Sequence, residues 1–252
     1  MEVLLKKSLE GWTRLTLNRP SVRNALNTDI LSQLADVLDQ LASDHSCRVV
    51  LICGADGNFA AGADITEIES KSSAEAAIDP RKAYWARIRK FPKPMVAAVD
   101  GFCLGGGFEL ALMADCMVVG TNARLGLPET NLGLIPGAGG TQRLMALVGR
   151  SRAVRMVLTG EIIDAQRAEL WGIAGWRAEC SAMPDAEALC IKLASRAPLA
   201  LMAAKRAIIE GEEASLAFGT ERNAFEALLD SDDKREGIAA FKAKRKAEFK
   251  GR

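Results

Sequence analysis

Apolar and polar side chains alternate around Trp12, Arg14, Leu15 and Leu17, which predicts a strand over residues 13–18. A turn at Leu9-Glu-Gly would pair it antiparallel with a strand over residues 3–7. From Asn27-Thr-Asp the pattern changes. Ile30, Leu31, Leu34, Val37, Leu38 and Leu41 recur at the helical period of about 3.6 residues and predict an amphipathic helix. Over residues 48–53, Arg48 is followed by an apolar run rich in β-branched side chains, as in a buried strand, which ends at Gly54. Residues 54–70 read as a Gly/Ala loop, 70–79 as a polar, mobile stretch, and 81–90 as a helix. Residues 93–100 predict a strand running into a glycine-rich turn, 108–114 an apolar helix, and 117–120 and 123–126 further short strands. Helices are then expected at 138–148, 151–158, 164–171, 184–196 and 199–210, and in pieces through 215–249. Strands alternating with helices, then helices alone, define an α/β fold of repeated β-β-α turns with a helical C-terminal region. No internal sequence repeat is visible, and low complexity is limited to the basic tail at 242–250.

With 252 residues the chain is long enough for one main core, expected over 1–195, with a smaller helical region over 196–252. Lys and Arg number 33 and Asp and Glu 32, and the net charge of +1 gives no global attraction to nucleic acid or to an anionic membrane. An anionic ligand must be met locally. The six cysteines form no C-x-x-C pair and mostly sit among apolar residues, which fits free thiols in a reducing compartment. The N-terminus lacks a cleavable signal pattern, and no apolar run approaches the roughly 20 residues of a membrane span. A soluble, cytoplasmic protein is expected. His45 is the single histidine and lies in a polar Ser-Asp-His-Ser segment, so a Ser-His or Cys-His mechanism would depend on it, and a His-rich metal site is impossible. Proton chemistry falls to carboxylates.

Two carboxylates stand in suggestive surroundings. Gly101-Phe-Cys-Leu-Gly-Gly-Gly-Phe-Glu-Leu110 delivers a bare glycine backbone and Glu109 to the start of one helix. Amide N–H groups there can receive negative charge developing on a carbonyl oxygen, and Glu109, three positions after Gly106, projects from the same turn. Taken alone, the glycines suit tight helix-to-strand packing equally well, and Glu109 suits a favourable charge at a helix N-terminus. Its apolar Phe-Glu-Leu-Ala-Leu-Met setting argues against a merely solvated face. Glu129 lies in the turn-rich Leu127-Pro-Glu-Thr-Asn-Leu-Gly-Leu-Ile-Pro-Gly-Ala-Gly-Gly segment, where a carboxylate is ordinarily a surface turn residue. Phe59-Ala-Ala-Gly-Ala-Asp-Ile65 offers another small-residue loop able to present an amide. Gly137-Ala-Gly-Gly does not complete G-x-G-x-x-G and G-x-x-x-x-G-K-[ST] is absent, so NAD and ATP are not expected. Four scattered tryptophans form no stacking platform for nucleic acid.

Together with Asn18-Arg-Pro and Asn24-Ala-Leu-Asn27, these three segments in this order resemble the enoyl-CoA hydratase/isomerase family, the crotonases, from about Leu15 to the C-terminus. The resemblance implies the crotonase spiral with a helical C-terminal trimerisation region, assembled as a hexamer from two trimers. It implies an acyl-CoA thioester as substrate, coenzyme A being part of that substrate, with no other cofactor, metal, nucleic acid or membrane partner. The implied reaction is hydration of a trans-2-enoyl-CoA to a 3-hydroxyacyl-CoA in fatty-acid or phenylacetate-type catabolism. By position, Ala63 and Gly106 match the family's oxyanion amides, and Glu109 and Glu129 its paired carboxylates, which hold the attacking water. Glu109 is assigned mainly to water and Glu129 to the proton on C2. Ala61, Asp64 and Ile65 match the loop around the CoA, Arg23 a basic position near its phosphates, and Phe241 and Lys244 tail residues reaching the nucleotide or acyl pocket, including that of a neighbouring subunit. For Arg23 a surface turn charge, and for the tail a solvated basic helix, are the alternatives. A Δ3,Δ2-enoyl-CoA isomerase, which usually needs one carboxylate, and a non-catalytic crotonase-fold binding protein are the rival functions.

Overall fold

The computed structural model describes residues 4–213 and 218–248. Strands β1 (Leu4–Leu9) and β2 (Trp12–Leu17) form the expected antiparallel hairpin, with Leu4 opposite Leu17 and the turn closed by Gly11 at a positive φ of 76°. Helix α1 (Thr28–Ser43) starts where predicted, because the Asn27 side chain accepts the Ile30 N–H at 3.0 Å. Then follow β3 (Val49–Gly54), α2 (Ser73–Ala77), α3 (Arg81–Arg89), β4 (Met95–Val99), β5 (Phe102–Leu104), α4 (Gly106–Ala111), β6 (Cys116–Val119) and β7 (Arg124–Gly126). The chain continues through α5 (Gly140–Thr159), β8 (Ile163–Asp164), α6 (Ala165–Leu170), β9 (Trp176–Arg177), α7 (Met183–Ala194), α8 (Pro198–Glu213), α9 (Phe218–Leu228) and α10 (Asp232–Lys242). No helix among the described residues is long and apolar enough to cross a membrane.

The strands make two sheets. One has the order β1-β2-β3-β4-β6-β9, parallel except for the first hairpin, and the other the order β5-β7-β8. Why β3 reads as one apolar run is now visible. Val50 and Ile52 face the main core with α1, while Val49, Leu51 and Cys53 face a second cluster with Ala186, Cys190 and Ala194 of α7. Ala182, Ala186, Cys190 and Ala194 recur every fourth position, so one stripe of small side chains lets α7 lie close on the sheet. On the other face Ile30, Leu34, Leu38 and Leu41 of α1 are almost fully buried. Each such side chain contributes about 1.5–3 kcal/mol of transfer free energy.

Two features depart from the predicted elements. The stretch at 70–79, expected to be mobile, contains α2, started by a capping box in which the Ser72 hydroxyl and Glu75 carboxylate exchange bonds with each other's backbone. Strand β5 lies inside the predicted glycine turn. It is three residues framed by Gly101 and Gly105, too short for any periodicity to register, as are β8 and β9. By contrast, α5 bears out the two helices expected at 138–148 and 151–158: Gly149, at φ 76° and ψ 165°, is non-helical and separates them at the predicted place. The exposed setting read for His45 is found. Residues 215–217 and 249 of the expected C-terminal helices lie outside the described residues.

Lys93 is only 7% exposed, yet its ammonium is saturated: it donates to the carbonyls of Leu41 at 2.5 Å, Asp44 at 2.8 Å and Cys47 at 2.9 Å. It thereby closes the C-terminus of α1, where the helix dipole favours a cation, onto the start of β4. Replacing Lys93 by Met leaves those carbonyls facing an apolar chain. The expected result is a loss of about 2–4 kcal/mol of stability, read as a lower midpoint of urea unfolding at unchanged slope. An unchanged midpoint would show that the ammonium contributes nothing there.

Candidate active site

Two isolated bridges sew the loop at 59–65 into place. Ala60 pairs with Cys103 of β5, its N–H donating to Phe102 O at 2.9 Å and its carbonyl accepting from Leu104 N at 3.0 Å. Ala63 pairs with Leu26, which donates to Gly62 O at 2.8 Å and accepts from Asp64 N at 2.9 Å. That pattern uses the groups flanking Ala63, so the Ala63 N–H points to the opposite side. On that side stands Gly106, the first residue of α4; a Cβ there would lie 3.5 Å from the Ala63 nitrogen. The Gly106 N–H belongs to the first helical turn, which has no intrahelical acceptor. Two backbone amides therefore sit side by side at a helix N-terminus. Gly107 makes the approach possible, since a Cβ on it would be 2.4 Å from Ala60 O.

The asparagine motifs hold this loop from behind. Asn24 is fully buried and donates to Ala55 O at 2.8 Å and Asn58 O at 2.6 Å, while its Oδ1 accepts from Arg19 N at 3.0 Å. Arg19 in turn reaches Ala25 O and Asp64, both at 2.8 Å. Burial pushes the Asp64 carboxyl up, but bonds from Thr66 and Arg19 outweigh it and hold the group below the usual carboxylate range. Asp64 is a brace of the loop and does not line the cavity described below.

Glu109 sits one turn after Gly106 on α4 and is 4% exposed. Its Oε1 accepts from Ala138 N at 2.7 Å and Gly140 N at 2.9 Å, so the turn that begins α5 clasps the carboxylate. Gly140 is required for that fit: a Cβ there would be 2.9 Å from Glu109 Cγ. Glu129 lies in the short 3-10 turn Glu129–Leu132, with its carboxylate against Gly105; a Cβ on Gly105 would lie 3.1 Å from Glu129 Oε1. Its Oε2 is shut off from solvent. Helix α10 presses this turn into place, because Gly237 and Gly133 allow the backbones of α10 and the turn to meet without side chains between them.

Around these groups lies a cavity of about 330 Å³. Of the residues singled out in the sequence, Glu109, Glu129, Ala63, Gly106, Arg23, Ala61, Ile65 and Phe241 line it, whereas Asp64 and Lys244 do not. Arg23 stacks its guanidinium 4.8 Å from the centre of the Phe102 ring. Phe241 reaches the cavity of its own chain, and Lys244, at φ 51°, is exposed beyond the end of α10. Sequence reading missed Trp85 and Arg81 of α3, Ile135, and Arg222 and Phe225 of α9 as lining residues. Ile135 lies in the turn-rich segment at 127–140 but was not singled out there, and the other four belong to no motif.

A protein-family model described as enoyl-CoA hydratase/isomerase matches residues 9–252. The chain is 48% identical over 242 residues to the 2,3-dehydroadipyl-CoA hydratase of Escherichia coli (strain K12), covering 94% of each chain. It is 40% identical over 254 residues to a probable enoyl-CoA hydratase of Rhizobium meliloti (strain 1021), covering 100% of this chain and 99% of that one. Among solved structures, carnitinyl-CoA hydratase from Mycobacterium avium superposes with a TM-score of 0.89 at 32% identity, covering 100% of both chains. The two-sheet α/β architecture is the crotonase fold. The chain belongs to the enoyl-CoA hydratase/isomerase family.

Changing Gly140 to Ala should push Glu109 from its clasp without unfolding the protein. A displacement on the order of 1 Å at a reacting group costs about 10²-fold in rate. The variant should therefore turn over an enoyl-CoA on the order of 10²-fold more slowly while its far-ultraviolet circular dichroism stays that of the parent. Normal turnover would mean that the clasp is not needed.

Proposed function

We propose that the chain is an enoyl-CoA hydratase, adding water across a trans-2-enoyl-CoA to give a 3-hydroxyacyl-CoA in fatty-acid or phenylacetate-type catabolism. One observation carries the reading: Glu109 and Glu129 line the same cavity as the adjacent backbone amides of Ala63 and Gly106. In this reading the thioester carbonyl oxygen accepts from the Ala63 and Gly106 N–H groups. As the water oxygen bonds to C3, the C2–C3 π electrons move toward C2 and the carbonyl oxygen, where those two donors meet the growing negative charge. Losing one such donor typically costs about 2.7–4 kcal/mol of barrier. Glu109 takes a proton from the attacking water and Glu129 delivers one to C2, so the sum is one water added and no electron lost. The reaction so drawn calls on no metal or redox cofactor.

In the same reading Arg23, whose guanidinium stacks on Phe102, serves the CoA phosphates, and the cavity-lining Ala61 and Ile65 run along the nucleotide and pantetheine of the substrate. Asp64 contributes by holding the loop through Arg19. Phe241 closes the cavity from α10, and Lys244 is placed with the nucleotide end of CoA, in its own or a neighbouring subunit. The proposed assembly is a hexamer of two trimers built through the region 196–252; the exposed Leu199 and Ile208 of α8 supply apolar surface that supports it.

Two carboxylates, where an isomerase usually needs one, favour hydration over a shift of the double bond. With crotonyl-CoA the enoyl absorbance should fall as water adds. Glu109→Gln and Glu129→Gln should each slow this by about 10²–10⁴-fold with ligand affinity largely kept. Double-bond migration without hydration would establish the isomerase, near-normal turnover in either variant would remove that residue from the mechanism, and salt-sensitive RNA binding without any acyl-CoA turnover would favour a binding protein.

A further inference from the structure

The hydratase reading leaves unexplained a cation at the edge of the cavity beyond the carboxylates. Contacts order the lining: Ala63 lies against Gly106, Glu109 follows one turn on, and its Oε1 takes the Ala138 N–H. The carbonyl of the preceding residue, Gly137, faces Arg222, whose Nη1 lies 3.4 Å away. The ring of Phe225 packs on Gly137, where a Cβ would lie 2.8 Å from the ring, and the Arg222 guanidinium lies 5.1 Å from that ring's centre. Arg222 thus stands one peptide past the group that clasps Glu109, whereas Arg23 is joined to the other end of this series through the Ala61 N–H.

Charge counting separates Arg222 from the other arginine near it. Arg81 also lines the cavity, but it and Lys71 share Asp79, at 2.7 and 2.5 Å, and Arg81 also reaches Glu67 at 3.5 Å; two cations meet two anions. Arg222 and Lys82 converge on one carboxylate, Glu226, each at 2.7 Å. Burial pushes the Glu226 carboxyl up, but its bonds from Lys82 and Arg222 prevail and hold it below its ordinary value, so it is an anion at neutral pH. The trio carries one net positive charge. Arg222 commits Nε to Glu226 and one Nη1 hydrogen to Gly137 O; among the described residues its Nη2 has no acceptor. A planar guanidinium with donors to spare, part-buried over Phe225 in a cavity that Leu134 and Ile135 also line, favours a carboxylate.

Resting on the hydratase reading, we propose that Arg222 binds a carboxylate at the far end of the acyl chain, and that the substrates are short 2-enoyl-CoA thioesters of dicarboxylic acids. The acyl chain runs from the Ala63 and Gly106 amides past Glu109 and Glu129 along the apolar wall, and its terminal carboxylate meets the excess charge shared by Arg222 and Lys82. A chain of the same length ending in methyl leaves that charge without its anion.

The test compares 2,3-dehydroadipyl-CoA with trans-2-hexenoyl-CoA, which has the same six-carbon acyl chain without the terminal carboxylate. The parent enzyme should prefer the former in kcat/KM, and Arg222→Met should lower the ratio of the two on the order of 10²-fold, with Arg222→Lys restoring part of it. No preference in the parent, or a ratio unmoved by Arg222→Met, overturns the proposal. Calorimetric binding of the saturated pair, adipyl-CoA and hexanoyl-CoA, reads the same discrimination without chemistry. If the parent hydrates neither enoyl thioester yet binds adipyl-CoA more tightly through Arg222, the hydratase reading fails and the carboxylate site stands. Equal binding of the two removes the site.

Discussion

Two backbone segments can lie side by side with their amides aimed at one point only where no side chain stands between them. Gly107 meets that condition against the Ala60 carbonyl, and the bridges from Ala60 to Cys103 and from Ala63 to Leu26 then leave no freedom in where the Ala63 N–H points. Every other part of the site is arranged around this contact. Because α4 begins at Gly106, the side chain one turn later, Glu109, is carried to the same cavity, and the glycine turn before α5 closes on it with two N–H groups. A carboxylate held by main-chain donors at a helix start has little conformational freedom left to lose when a ligand arrives, which is the physical content of preorganisation.

The surrounding structure stiffens that arrangement through buried charge that is paired on the spot. Asp79 illustrates the principle: burial pushes its carboxyl up, but bonds from Arg81 and Lys71 hold it well below the usual carboxylate range. Such a cluster fixes α3 and hence Trp85 along the cavity wall. Lys234 of α10, 3% exposed, donates to the carbonyls of Glu69 at 3.0 Å and Lys71 at 3.3 Å, tying α10 to the loop that carries this cluster's Lys71. The C-terminal helices α9 and α10 are therefore part of the cavity, since Arg222, Phe225 and Phe241 line it beside core residues.

Much of the core and the carboxylates of the cavity was legible from residue order. The periodicity of α1, the double-sided apolar run of β3 and the glycine-flanked Glu109 each follow from local spacing, and local spacing is what a helix or strand converts directly into a face. Asn24 and Arg19 were legible only as marks of resemblance. Their work is to hold backbone at residues 55, 58 and 25 and the Asp64 carboxylate, contacts that cross up to 45 positions of sequence. Asp64 was read with the ligand loop for its neighbours, yet Arg19 and Thr66 occupy its oxygens.

The amino-acid sequence by itself determined the longer helices and strands, the two carboxylates and the small-residue segments that bring amides to them, because each depends on neighbours within a turn or two. Only the tertiary structure decided which distant side chains share the cavity. Arg222 is separated from Gly137 by 85 positions and Lys82 from Glu226 by far more, so the excess positive charge at the cavity edge exists only once α3, α9 and the α5 turn are packed together. Charge balance is a property of space, and no spacing along the chain encodes it.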